Sequence, residues 1–221
     1  AEKLAQSGIL GSFRRDNASS YQTLGDLTLD FGSLRGISNY RRELDIEKAI
    51  AKVTYTANQV NYSREIFSSA PDPALVVRLS ADKEGALTFT ARLSRPGNKA
   101  RVEAKVNEIV MNEHVGDGIG VKMEARLKII AEGGKVISGG DSIRVEKADS
   151  VTIFLTAATD YFGKDPSIVS GDQLTAIAKR SYSDIKKDHI TDYQSFFNRV
   201  SIDLGSSDGN YFTTDARITA M

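Results

Sequence analysis

Carboxylates have the strongest claim to chemistry here, because two of them suffice to cleave a glycosidic bond. Glu43 and Asp45 share one face of a strand, and Asp82 and Glu84 lie in a turn. Among 29 acidic residues such pairs arise by chance, and these are read as solvated or salt-bridged. The two histidines, His114 and His189, fit neither a His-Glu-x-x-His helix nor any spacing that zinc prefers. Each is read as structural or on the surface, His189 as a packed, hydrogen-bonded residue, and no metal site is expected. There are no cysteines, which removes disulfides, thiol nucleophiles and sulfur-ligated zinc together.

Gly116-Asp117-Gly118-Ile119-Gly120 is glycine-rich, but it precedes a strand rather than a helix and lacks the lysine of a phosphate loop. It reads as a loop between strands, and no cofactor is expected. Ser19-Ser20 and Ser68-Ser69 lack the nucleophile-elbow pattern. Arg41, Arg42, Glu43 and Asp45 concentrate charge in a strand with Tyr40, Leu44 and Ile46. Strict alternation would turn one of the two arginines inward or toward a partner layer.

The elements that position these residues are mostly strands. Leu27, Leu29 and Phe31 alternate with Thr28 and Asp30, and Ala49, Ala51, Val53 and Tyr55 repeat the period of two. Hairpin-like runs follow at Val60–Ile66, Leu75–Leu79 and Leu87–Leu93, then at Val102–Val106 and Val121–Ile129. A short strand lies between Gly133-Gly134 and Gly139-Gly140, and Val151, Ile153, Leu155 and Ala157 close the series. Ten to twelve such strands on short loops bury their apolar faces only if two sheets pack together. The expected fold is therefore mainly β, a large antiparallel two-sheet sandwich over residues 1–165, with C-terminal linker helices.

The period becomes helical after Pro166, with Leu174, Ile177 and Ala178 on one face. Ser181 and Asp184 resemble a capping box that opens a second helix. Along that helix Tyr182, Ile185, His189, Tyr193, Phe196, Phe197 and Val200 form an apolar stripe, which must dock on something. Ser201–Gly205 reads as a short return strand that ends the linker region, 166–205. Residues 206–221 read as a lead-in to whatever follows. Ala1–Gln6 reads as the tail of a helix that begins earlier.

Basic and acidic residues balance at 29 each, so no electrostatic footprint for nucleic acid or an anionic bilayer is present. No apolar run is long enough for a membrane span.

Several segments taken in order resemble one family. They are Tyr21-Gln22-Thr23-Leu24-Gly25-Asp26-Leu27, Tyr40-Arg41-Arg42-Glu43-Leu44-Asp45-Ile46, and Tyr62-Ser63-Arg64-Glu65-Ile66-Phe67-Ser68-Ser69 with Pro71-Asp72. Ala125-Arg126-Leu127, Glu132-Gly133-Gly134, Ala157-Ala158-Thr159, His189 to Gln194, and Thr214 to Ile218 continue it. Together they resemble the N-terminal domain of glycoside hydrolase family 95, the bacterial and plant α-L-fucosidases. Thr23 stands where many relatives have proline, and Phe212-Thr213 replaces a common Leu-Pro.

The resemblance implies a large β-sandwich, linker helices, and then a helical toroid that carries the catalytic acid and base. No family catalytic residue maps onto this sequence, so the chain by itself is expected to be inactive. Its implied partners are the C-terminal catalytic domain of the same polypeptide and a fucosylated glycan. The implied location is periplasmic or secreted. The Tyr21–Asp26 segment, with Tyr21, Gln22 and Asp26, is the expected interdomain or substrate rim. The stripe Tyr182, Ile185, His189, Tyr193, Phe196 and Phe197 is the expected docking element. The alternative is a free-standing carbohydrate-binding sandwich, which the lack of tryptophan disfavours because flat aromatic faces stack on sugars.

Overall fold

The computed structural model describes residues 22–97, 99–203, 205 and 212–219. Tyr21, the Ala1–Gln6 helix tail and the Ser206–Asn210 linker lie outside them. Alternation of apolar and polar residues yields twelve strands among the described residues. They are β1 (Asp26–Asp30), β2 (Ser38–Asp45), β3 (Ile50–Ala57), β4 (Val60–Ser69), β5 (Ala74–Ala81) and β6 (Leu87–Ser94), then β7 (Arg101–Lys105), β8 (Glu108–His114), β9 (Lys122–Glu132), β10 (Lys135–Gly139), β11 (Ser142–Ala148) and β12 (Ser150–Thr159). All pairings are antiparallel. One sheet runs β1-β6-β11-β10, and the other β2-β3-β4-β5-β12-β9-β8-β7. The expected two-sheet antiparallel sandwich is the fold.

Strands that alternate on one face bury it only against another layer. Phe89, Ala91 and Leu93 of the small sheet meet Leu79, Ile109, Met111, Leu127, Ile129 and Ile153 of the large one, all at most 5% exposed. The large sheet has a second covered face. Val76 and Phe154 point away from the sandwich core and pack with Phe67 under Leu174 and Ile177 of α1 (Pro166–Ile177) and Ile185 of α2 (Tyr182–Phe197). This explains why Phe154 departs from a one-sided pattern.

Both helices begin at side-chain caps. Asp165 accepts from the Ser167 amide ahead of Pro166, and Ser181 accepts from the Asp184 amide, as the capping pattern predicts. A third helix, α3, spans Thr214–Thr219. No strand forms at Ser201, Ile202, Asp203 or Gly205, so the expected return strand is not present among the described residues. These residues are exposed and reach no sheet edge that could supply ladder hydrogen bonds.

The charged strand also differs from expectation. Arg41 and Arg42 are both exposed, and Arg41 pairs with its neighbour Glu43 at 2.6 Å. Alternation turns a residue inward only where a layer covers the sheet. As β2 is the outermost strand of the large sheet, both of its faces are wet, which leaves Tyr40 at 61% and Leu44 at 65% exposure.

Candidate functional site

Five strand ends meet at one end of the sandwich. Here β8 finishes at His114, β9 starts at Lys122, β12 finishes at Thr159, β6 finishes at Ser94 and β1 starts at Asp26. The alternation that builds the core runs on through this end. Residues 87, 89, 91 and 93 point inward, and Arg95 takes the next inward place; Ile109 and Met111 point inward, and Glu113 comes next. Two opposite charges are thereby driven into the gap between the sheets. Their side chains are 7% and 10% exposed and meet as an ion pair, with Arg95 Nε 2.9 Å from Glu113 Oε2. Lacking the angle of a hydrogen bond, the contact leaves Oε2 without a donor.

The same guanidinium fixes the expected rim. Arg95 donates to the carbonyls of Thr23 and Leu24, and to Gln22 Oε1 at 2.5 Å. Gly25 allows the segment to approach: a Cβ there would lie 2.3 Å from the Ser94 carbonyl oxygen, and its φ is +142°. Gln22 is thus tied to the ion pair, whereas Asp26 is exposed where β1 begins opposite Ser94. Tyr21 lies outside the described residues.

Beside this network opens a cleft of about 570 Å³, lined by Glu113, His114, Lys122, Glu124, Asp160 and Asp165, among others. Four carboxylates around one cleft invite comparison with an acid–base pair. Each, however, is already engaged. Glu124 Oε1 accepts from Arg126 Nε at 2.5 Å and from Ser170 Oγ at 2.9 Å. Asp160 Oδ1 accepts from the Lys122 amide at 2.9 Å. Asp165 caps α1, and the hydrogen bonds from the Ser167 side chain and amide hold its carboxyl below the usual aspartate value. Glu113 faces Arg95.

The stripe on α2 docks within this chain. Ile185 is fully buried, and His189 is 4% exposed, stacked on Phe67 at 4.6 Å with its Nε2 3.0 Å from the Lys48 carbonyl. Tyr182 donates to Glu65 at 2.5 Å, and Tyr193 to the Ile46 carbonyl at 2.9 Å. Phe197 is half-buried and stacks on Tyr193, whereas Phe196 and Val200, at 63% and 78% exposure, face outward. The other sequence-flagged acids lie elsewhere. Glu43 and Asp45 serve surface ion pairs, and Asp82 binds Asn61. Among the described residues no group of three or more His, Cys, Asp or Glu is arranged to hold a metal.

Reading the sequence for motifs passed over Arg95 and Glu113. The signal that could have found them is a charged residue at the next period-two position of an apolar alternation.

The family model described as "Glycosyl hydrolase family 65, N-terminal domain" matches residues 1–164. The chain is 33% identical over 90% of its length to "Alpha-L-fucosidase 2" of Arabidopsis thaliana. It is 27% identical over 92% of its length to "Probable alpha-fucosidase A" of Aspergillus niger. In each case it spans 28% of the relative's length. A solved structure titled "Putative kojibiose phosphorylase from human microbiome" shares the fold, with TM-score 0.52 and 12% identity over 73% of this chain and 25% of that one.

Proposed function

The chain belongs to the family of glycosyl hydrolase family 65 N-terminal domains, and from that premise we propose that it is the non-catalytic sandwich of an α-L-fucosidase of the family 95 type. The observation that carries the reading is the 33% identity with a fucosidase along 90% of the chain, joined to a cleft whose carboxylates are all engaged. In this reading bond cleavage belongs to a catalytic domain elsewhere in the polypeptide. The sandwich supplies a stiff wall and a rim, Gln22 to Asp26, beside a fucosylated glycan.

Stiffness follows from the geometry. The rim is held by a buried guanidinium that is itself clamped between two sheets, so its position is set by the core rather than by the loop. Groups held this way can orient a substrate without reorganising as it reacts.

The test is turnover of a chromogenic α-L-fucoside by this chain and by the longer protein encoded by the same gene. Activity in the longer protein alone is expected. Turnover by the chain alone would refute the division of labour, and failure of both to cleave fucosides would refute the fucosidase assignment. Millimolar or tighter binding of fucosyl-oligosaccharides by the chain alone would instead favour a carbohydrate-binding module.

A further inference from the structure

The large hydrophobic residues left uncovered are not scattered. Ile119, in the β8–β9 loop, is 91% exposed; Tyr161 and Phe162, in the 3-10 turn after β12, are 75% and 86% exposed; and Ile168, in the first turn of α1, is 62% exposed. None of the four lines the cleft itself, but each lies within three residues in sequence of one that does: Lys122, Asp160, Gly163 and Ser167. At the same end of the large sheet, by its strand register, lies the β2–β3 turn with Ile46 at 62% exposure. The C-terminus of α2 is pinned to that turn by Tyr193 and by Gln194, whose side chain donates to the Glu47 carbonyl at 3.1 Å. It brings Phe196 and Val200, 63% and 78% exposed, to the same end. β2 and β9 are five strand spacings apart, so this end is roughly 24 Å wide.

The aromatic pair is held in position rather than left loose. Asp160 accepts from the Lys122 amide through its side chain and from the Gly163 amide through its carbonyl, and the Tyr161 and Phe162 rings pack edge to face at 5.1 Å. Two such rings bury about 150–250 Å² each when covered. A preset pair with that much apolar area is the pattern of an interface anchor.

We infer that this strand-end face, centred on Tyr161, Phe162 and Ile119, is the surface on which the remainder of the polypeptide docks. Two observations select that occupant. The curated relatives are more than three times as long as the span this chain matches, since it covers 28% of each. And α2 delivers the chain to this same end, where Ile202 is 81% exposed. The stripe of α2 cannot serve, because the sandwich already covers Ile185 and His189. Docking here would roof the cleft and set the Gln22–Asp26 rim against the new domain. The inference rests on the proposed scaffold role but names a surface that the role alone does not.

The test compares this chain with the longer protein by hydrogen exchange at 115–121 and 160–168. Protection in the longer protein is expected to rise by at least about tenfold. The double variant Ile119→Asp, Phe162→Asp should abolish that rise while leaving the melting temperature of this chain unchanged, since both side chains are exposed. Val106→Asp, at the opposite end of β8 and 72% exposed, should leave the protection intact. Equal exchange in both proteins would overturn the inference. So would a self-association of this chain that the double variant removes, or protection of these segments by a fucosyl-oligosaccharide in the chain alone. The two readings fail separately: a longer protein that cleaves fucosides without protecting this face overturns only the docking surface, and protection without fucoside cleavage overturns only the fucosidase reading.

Discussion

Changing Arg95 to leucine probes the link between the core and the rim. The pair Arg95–Glu113 is more than nine-tenths buried on the arginine side and nine-tenths on the other, so solvent screens it little. The variant keeps most of the apolar bulk but takes from a carboxylate between two sheets the guanidinium that meets it, and Gln22, Thr23 and Leu24 lose their donor. Breaking a buried pair from one side costs about 3–5 kcal/mol. For a chain of this size that corresponds to a fall in Tm of roughly 6–20 °C. The double variant Arg95→Leu, Glu113→Leu removes the orphaned charge as well and should cost less than about 2 kcal/mol, because a matched apolar pair is often no worse than the ions it replaces. As the chain has no tryptophan, urea unfolding followed by far-UV circular dichroism is the suitable assay. The reasoning fails if the single variant costs less than about 1 kcal/mol, or if the double variant costs as much as the two single ones added together.

Ile185→Ala empties a fully buried position between α2 and the large sheet and should cost about 2–5 kcal/mol by thermal melting, whereas Phe196→Ala, on the exposed side of the same helix, should change little. At Glu65, burial pushes the carboxyl up, but hydrogen bonds from Lys186 and Tyr182 and the charges of Lys186 and Lys52 outweigh it and hold the group below its ordinary value of 4.5. A depressed carboxylate contributes stability above its unfolded value that is lost as pH falls through the folded one. The stability advantage over Glu65→Gln should therefore be largest above about pH 5 and shrink as pH falls below 4.5, measured by denaturation at a series of pH values. Gly134→Ala should cost more than about 1 kcal/mol, since φ is +67° and the new Cβ would lie 2.2 Å from the Glu146 carbonyl oxygen; an unchanged unfolding midpoint would show that the β9–β10 turn can yield.

Much of the architecture is legible in the order of residues because period two and period 3.6 are local properties. Leu87, Phe89, Ala91 and Leu93 announce a half-buried strand with no partner in view, and Ser181 with Asp184 announces a helix start. Arg41 and Arg42 mislead because alternation fixes which side a residue takes, while only the neighbouring layer decides whether that side is dry. The Ser201–Gly205 pattern misleads in the same way, since a strand needs an available edge as well as a suitable sequence.

Composition and spacing by themselves determined the class of fold, the helix starts and the lack of thiol chemistry, because each depends on residue type and short-range periodicity. Tertiary structure alone decided which charges meet and which apolar faces are used up. Arg95 and Glu113 pair because two sheets bring the ends of β6 and β8 together. The α2 stripe is consumed because the large sheet has a second apolar face. Tyr161, Phe162 and Ile119 remain open because none of the described layers reaches the end where they stand. Such facts depend on contacts between residues distant in sequence, which no local pattern encodes.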